Sequence, residues 1–190
     1  MASQAGAQER PKTAADLLTR MEAAAAKLQD YEVTGEGEAE GKTNHFTLSY
    51  KRPNLVRIDS KEGQVAVQPN GDIRGRMGHG VFGKVSQKLS HDDDKLKDLE
   101  GIPFYESHFS ATLARIRRQV KAGASATLTV KMDGYSLVVR QEKTFWRYDV
   151  DPATWFFTET ARTVDGKRIE FTRYSSFKPN TGLTADHFKF

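Results

Sequence analysis

The sequence predicts an α+β fold in which two helices cover a strongly curved antiparallel β-sheet of roughly ten short strands. Runs with apolar residues at alternate positions recur along most of the chain and are separated by Gly, Pro and Asn turns. Two other segments repeat apolar residues with the period of a helix. No regular alternation of strand and helix appears, so a parallel sheet is not expected.

A chain of 190 residues, 37% of them hydrophobic, is long enough for one domain with a sizeable core. The small and polar residues 1–12 predict a disordered lead-in, and residues 13–190 predict a single domain. Within that domain, residues 78–123 interrupt the strand pattern as an insert with lid character.

The first helix is predicted over residues 13–29. Thr13 and Asp16 have the spacing of a capping box, and alanines supply helix propensity. One apolar stripe follows at helical spacing, formed by Leu17, Met21, Ala24 and Leu28.

An antiparallel meander is predicted after this helix. Phe46, Leu48 and Tyr50 alternate with polar residues, as in a half-buried strand, and Val65 and Val67 alternate in the same way. The Asn70-Gly71 pair favours a two-residue hairpin turn.

The middle of the chain predicts a charged helix or mobile loop followed by a second amphipathic helix over residues 107–122. The charged stretch runs from Gly78 to Glu100. The helix has an apolar stripe and a basic C-terminal end that complements its dipole. The stripe is Phe109, Leu113, Ile116 and Val120, and the basic residues are Arg115, Arg117, Arg118 and Lys121.

Alternation resumes after Gly123 and predicts the remaining strands, with Asp-Gly and Asp-Pro turns between them. The apolar sets are Leu128/Val130/Met132, Tyr135/Leu137/Val139, Trp146/Tyr148/Val150, Trp155/Phe157, Ile169/Phe171 and Phe188/Phe190.

The residue inventory argues against an enzyme and against a cofactor. The absence of cysteine excludes disulfides, thiolate metal sites and cysteine nucleophiles. The five histidines lack metal-ligand spacing, and the Asp92-Asp93-Asp94 run after His91 reads as a solvated loop more readily than as a hard-cation site. We therefore predict no catalytic residues and no metal.

Nucleic-acid and membrane-spanning classes are also not expected. The net charge is only +4, and the basic residues around Arg117 lie beside a core-type stripe, as on a solvated helix face. An acidic lipid headgroup or an acidic partner is the alternative. No apolar run is long enough to span a bilayer, so membrane contact is expected to be peripheral at most. No signal peptide is recognised at the start of the sequence, and this says little about export.

An apolar hollow between sheet and helices is the third functional class. Such a sheet can curl around its helices, and 11 Phe, 6 Tyr and 2 Trp are available to line the space. Periodicity alone does not distinguish a lipid-lined hollow from a packed core. The hollow is predicted to use Phe46, Leu48, Tyr50, Val67, Leu137, Val139, Trp146 and Tyr148, beneath lid residues Leu17, Met21, Phe109, Leu113 and Ile116.

One motif resembles the LolA family of periplasmic lipoprotein carriers, whose fold is shared by the LolB receptors. The string Lys51-Arg52-Pro53-Asn54-Leu55 ends an alternating strand after the capped helix with Ala15-Asp16-Leu17. The tail is similar too, with Asn180-Thr181-Gly182-Leu183 before Phe188-Lys189-Phe190. The resemblance covers about residues 13–75 and 125–190.

The resemblance implies a half-open antiparallel barrel with a helical lid, whose hollow accepts acyl chains of lipoproteins. It implies a monomer in a Gram-negative periplasm that takes cargo from an inner-membrane donor complex and passes it to an outer-membrane acceptor. A sensor or regulatory module of the same fold is the alternative, with the charged stretch Lys84 to Glu100 as its partner surface. Fold alone does not decide between these roles.

The resemblance assigns the family's arginine to Arg52. Parity places Arg52 on the same strand face as Phe46, Leu48 and Tyr50, so its guanidinium is expected to need acceptors near the hollow. Carbonyl oxygens at the end of a lid helix would make Arg52 a latch between barrel and lid. A salt bridge at the rim with a nearby Glu is the alternative.

Overall fold

The computed structural model describes residues 9–77 and 86–190, which form one open, strongly curved, antiparallel sheet of eleven strands covered by two helices. The predicted α+β class and strongly curved antiparallel sheet are confirmed, with one strand more than expected. Residues 1–8 of the predicted lead-in and 78–85 of the predicted insert lie outside the described residues.

The described elements follow one another in this order along the chain. The helices are α1 Ala14–Lys27 and α2 Phe109–Lys121. The strands are β1 Asp30–Ala39, β2 Lys42–Lys51, β3 Leu55–Ser60, β4 Gly63–Val67, β5 Ile73–Met77, β6 Gln87–Leu89, β7 Ser125–Val130, β8 Tyr135–Gln141, β9 Thr144–Val150, β10 Phe157–Val164 and β11 Lys167–Pro179. Three short 3-10 turns span Asp94–Leu96, Phe104–Glu106 and Ala185–Phe188.

The sheet consists of two meanders joined at its centre. Strands β1 to β6 pair consecutively, as do β7 to β11, and β1 pairs with β11 to unite them. The first and last strands therefore lie side by side, while β6 and β7 form the two edges. The β1–β11 pairing shifts register between Thr34 and Gly35, which increases the local bend.

Helix α1 begins directly after its predicted cap, Thr13, and α2 begins at Phe109, two residues after its predicted start. At α1, Thr13 accepts from the Asp16 amide while the Asp16 carboxylate accepts from the Thr13 amide, a complete capping box. At α2, the His108 imidazole accepts from the Ala111 amide. Each helix ends within two residues of its predicted end, because these caps and the stripe periodicity are local properties of the chain.

The helix stripes bury against the sheet and form the main core. All five predicted lid residues are at most 2% exposed, namely Leu17, Met21, Phe109, Leu113 and Ile116. Phe156 lies among the aromatic rings of this core and stacks on Phe177 with ring centroids 4.1 Å apart. Burial on this scale is the main source of stability for a fold of this size.

Several segments differ from their predicted form. The charged middle stretch contains an edge strand, β6, and a 3-10 turn. Trp155 lies in a turn with a positive φ of 60°, so the buried pair is Phe156 and Phe157. Phe188 belongs to a 3-10 turn rather than a strand.

The predicted apolar set of β7 also differs from its expected burial. Val130 is 53% exposed and Met132 is fully exposed. Because β7 is an edge strand, the end of its alternation has no neighbouring strand on one side.

Candidate functional site

A cavity of about 540 Å³ lies between the concave face of the sheet and the segment that runs from residue 98 into α2. Strands β1, β2 and β3 contribute one wall, strands β9 to β11 contribute the other, and α2 contributes Thr112 and Arg115. The β1–β2 turn residue Glu40 lies at the cavity rim with Lys42 and Glu62. This volume is in the range of roughly 300–1,000 Å³ that small-molecule sites occupy.

Four of the eight predicted hollow residues line this cavity. Phe46 and Leu48 come from β2, and Trp146 and Tyr148 come from β9. Alternation brings each pair to the same face of its strand. Further apolar and aromatic lining is provided by Ile58, Phe157, Ala161, Phe171 and Tyr174.

The other four predicted hollow residues lie elsewhere in the core. Leu137 and Val139 are fully buried, and Tyr50 is 4% exposed, all within the packed layer beneath the helices. Val67 is partly buried against that layer. The five lid residues also belong to the packed core rather than to the cavity wall. The two helices therefore fill one part of the concave face, and the cavity occupies the rest.

An ion network spans the cavity wall. The Arg162 guanidinium donates Nε–H to Glu170 across 2.9 Å and lies 3.6 Å from Glu100. Glu100 also accepts from the Trp146 indole at 2.8 Å, which ties the segment before α2 to β9. Burial raises the pKa of Glu170, and Arg162 opposes that rise.

Two polar groups of the cavity wall lack hydrogen-bond partners within the described residues. They are the Tyr148 hydroxyl and the Arg115 Nε, each buried from solvent. Burial raises the pKa of Tyr148, and the nearby Arg115 guanidinium opposes this rise. Among the described residues, no carboxylate lies within ion-pair distance of Arg115. An unsatisfied pair of this kind costs free energy unless a ligand or water completes it.

Arg52 binds the C-terminal end of α1. Its Nε donates to the Leu28 carbonyl oxygen at 2.6 Å, and its Nη2 donates to the carbonyl oxygens of Ala25 at 3.0 Å and Ala26 at 3.2 Å. These carbonyls belong to the end of α1, where a helix leaves its last carbonyl oxygens without the usual intrahelical donor. The Ala25 oxygen also accepts from the Leu28 amide at 3.2 Å. Arg52 follows β2 and is exposed at the rim, rather than facing the cavity as parity suggested, because the strand ends at Lys51.

The two helices are fastened to each other by a bidentate ion pair. Arg117 donates from Nε and Nη2 to the two Glu22 oxygens, each at 2.8 Å, and Nη2 also reaches the Thr19 hydroxyl at 3.1 Å. This partly exposed ion pair links α1 and α2, which together form a helix unit over the sheet.

The N-terminus of α2 is held by aromatic residues of the central strands. The Tyr31 hydroxyl accepts from the Phe109 amide at 2.8 Å in a fully buried position. The Tyr50 ring stacks on His108 with centroids 4.5 Å apart. Burial lowers the pKa of His108 to about 4, so this imidazole is neutral near pH 7.

Sequence reasoning missed the polar part of the cavity. Arg115 reads as a cation at the basic end of a helix, and Arg162, Glu170 and Glu100 read as surface charges of strands and loop. One signal was available for Arg115, because residues 112, 115 and 119 share a helical face next to the apolar stripe. No local pattern in the sequence reveals that Arg162 contacts both Glu170 and Glu100 in the folded chain.

Within the described residues, no group of three or more His, Cys, Asp or Glu side chains is arranged to hold a metal ion. Among the same residues, no helix is both long enough and apolar enough to cross a bilayer.

No protein-family model and no curated protein matches the sequence. Several solved structures are similar to this chain in fold. The Pseudomonas aeruginosa MucA/MucB complex matches with a TM-score of 0.55 and 14% identity over 93% of this chain and 60% of that chain. A structure of MucB itself matches with a TM-score of 0.54, also at 14% identity over 93% of this chain, and over 62% of that chain. The chain thus spans about 60% of the MucB length.

Two further structures match at lower similarity. A DUF1329 family protein from Desulfovibrio piger has a TM-score of 0.49 and 12% identity, over 93% of this chain and 95% of that chain. An outer membrane lipoprotein-sorting protein domain from Vibrio parahaemolyticus has a TM-score of 0.42 and 10% identity, over 92% and 95%. At these identities a likeness concerns the fold alone, and the chain is similar in fold to MucB.

Proposed function

We propose that this chain is a periplasmic lipid or lipoprotein carrier that holds acyl chains in its cavity and passes them toward the outer membrane. The observation that supports this most is the cavity of about 540 Å³ with aromatic and aliphatic lining from Phe46, Leu48, Trp146 and Tyr148. Burying an acyl chain there contributes about 0.8 kcal/mol per methylene. A lipoprotein cargo, an inner-membrane donor and an outer-membrane acceptor are the partners this proposal implies.

Arg52 is the proposed latch of the lid. Its bonds to the end of α1 hold the helix unit against the sheet, and the Arg117–Glu22 pair carries that restraint to α2, which forms part of the cavity wall. Admission of a long chain would separate these contacts, so part of the binding energy is spent on opening. Such a balance suits a protein that must release its cargo as well as bind it.

Native mass spectrometry of gently purified protein, together with uptake of a fluorescent fatty acid, tests the carrier proposal. We expect added mass or saturable uptake. Ala161→Trp should reduce uptake, because Ala161 lines the cavity and an indole would occupy it. Thr158→Trp is the matched control, since Thr158 is exposed on the same strand, β10. Bare polypeptide mass together with no uptake would contradict the proposal.

A regulatory role is the second candidate, favoured by the likeness in fold to MucB, which was crystallised with the periplasmic part of MucA. The charged stretch before α2 offers a partner surface, with Asp92 and Lys95 exposed on it. If replacing Asp92, Asp93 and Asp94 by Asn abolished binding of a membrane regulator but left lipoprotein transfer unchanged, the regulatory role would replace the carrier role.

A further inference from the structure

We propose that the inner end of the cavity is an anion site formed by Arg115 and Tyr148, and that the ligand is a single-chain amphiphile with a carboxylate head. This inference rests on the proposed lipid-binding function and names the class of ligand. It places the head group against α2 and the chain along the apolar lining.

The first argument is an imbalance of hydrogen bonds. Both Tyr148 Oη and Arg115 Nε are buried in the cavity wall without a partner in the described part of the chain. Native proteins leave few such groups unsatisfied, and a buried N–H of a charged guanidinium costs more than a neutral donor when it has no acceptor. A carboxylate would accept from the guanidinium and from the hydroxyl at once, because both donors face the same space.

The second argument is an imbalance of charge. Four of the six carboxylates that line the cavity are already engaged: Glu170 and Glu100 contact Arg162, Glu38 contacts Arg168, and Asp98 accepts from the amides of Glu100 and Ile102. The other two, Glu40 and Glu62, are exposed at the rim beside Lys42. Of the three cations that line the cavity, Arg162 is paired with Glu170, Lys42 is exposed at the rim, and Arg115 has no carboxylate within ion-pair distance among the described residues. One unmatched positive charge near two partly buried glutamates favours a ligand with a single negative charge over a doubly charged phosphate.

The third argument is the division of the lining into a polar and an apolar part. Arg115 and Thr112 come from α2 and Tyr148 lies near Arg115, whereas Phe46, Leu48 and Ile58 provide apolar surface from β2 and β3. The paired charges of Arg162 and Glu170 lie on β10 and β11. This arrangement matches an amphiphile, since a few placed polar groups fix orientation while apolar walls provide affinity.

The test is displacement of the fluorescent fatty acid cis-parinarate by palmitate, hexadecanol and hexadecyl phosphate. We expect palmitate to displace the probe at least about tenfold more effectively than hexadecanol, because charge-assisted hydrogen bonds are made only by the carboxylate. Arg115→Met should abolish that preference while changing hexadecanol affinity less than about twofold. Arg118→Met is the matched control, since Arg118 is exposed on the same helix, and should keep the preference.

Tyr148→Phe gives an independent measurement if Arg115→Met folds poorly. It removes an unpaired hydroxyl, so the unfolding midpoint of the empty protein should stay the same or rise, while the palmitate preference falls. Equal binding of palmitate and hexadecanol by the wild type would overturn the anion site and leave lipid binding standing. Tighter binding of hexadecyl phosphate than of palmitate would overturn the carboxylate assignment. Failure of every probe would overturn the carrier proposal itself.

Discussion

The Arg52 guanidinium lies 2.6 Å from the Leu28 carbonyl oxygen and also reaches Ala25, so one side chain from the end of β2 caps the C-terminus of α1. The contact joins the sheet to the helix unit at a point outside the cavity. The polar contacts between the central strands and the two helices therefore lie at helix ends, and they add to the apolar packing along each helix.

Arg52→Leu should change release more than folding. The variant loses three charge-assisted bonds to exposed or half-buried carbonyls, each worth roughly 1.5–3 kcal/mol where buried and less at the rim. We expect a folded protein that binds an acyl probe at least as tightly as the wild type and transfers it poorly to an acceptor. Arg52→Lys should fall between the two, because an ammonium lacks the forked geometry.

The measurement is acyl-probe dissociation and transfer to acceptor, with urea unfolding as the control for stability. Indistinguishable transfer rates for wild type and Arg52→Leu would show that Arg52 is an ordinary surface residue with a stability effect within about 1 kcal/mol.

The Arg117–Glu22 pair should couple the two helices by a small amount. Its side chains are 37% and 40% exposed, so solvent screens the interaction and the coupling energy should be about 0.2–1 kcal/mol. A double-mutant cycle with Arg117→Met and Glu22→Gln measures this coupling. High salt should reduce this coupling energy, and a coupling energy of zero at low salt would contradict a stabilising Arg117–Glu22 contact.

Stability should fall as pH decreases from about 6.5 to about 4, because His108 has a folded pKa of about 4 against an ordinary value of 6.5. Between these values the unfolded chain binds a proton that the folded chain does not, and stability is therefore lost as pH falls. The loss should be about 1–3 kcal/mol and complete below pH about 4. Urea unfolding across this range measures it.

His108→Asn is the matched control for this pH dependence. Asn retains an N-cap acceptor for α2 but does not titrate in this range. The slope of the unfolding free energy against pH should be smaller in the variant than in the wild type. An unchanged slope would mean that groups other than His108 cause the pH dependence.

Gly35→Ala should destabilise the protein by about 1–3 kcal/mol, whereas Gly37→Ala on the same strand should change stability by less than about 0.5 kcal/mol. A Cβ at position 35 would lie 2.7 Å from the Arg173 carbonyl oxygen and 2.9 Å from the Phe46 ring. At position 37 the nearest atom is the Thr172 hydroxyl at 3.9 Å, an ordinary contact. Equal effects in thermal unfolding would contradict the close approach at the β1–β11 bulge.

The sequence by itself determined most of the elements and the two faces of each helix. Capping residues such as Thr13 and His108, the stripes beginning at Leu17 and Phe109, and the period-two runs all act over a few residues, so their outcome is local. A short motif in the sequence also placed an arginine, Arg52, directly after β2. The carbonyl oxygens that accept from Arg52 at the end of α1 belong to a segment about 25 residues earlier in the chain.

Only the tertiary structure decided which apolar residues line a cavity and which fill the core. Leu137 and Tyr148 both belong to the alternating apolar sets of their strands and pair across β8 and β9, yet only Tyr148 lines the cavity. The difference depends on how far the helices extend over the curved sheet, which no strand encodes alone. The same holds for Arg115, because a charge on a helix becomes a candidate ligand group only when distant strands close a space around it.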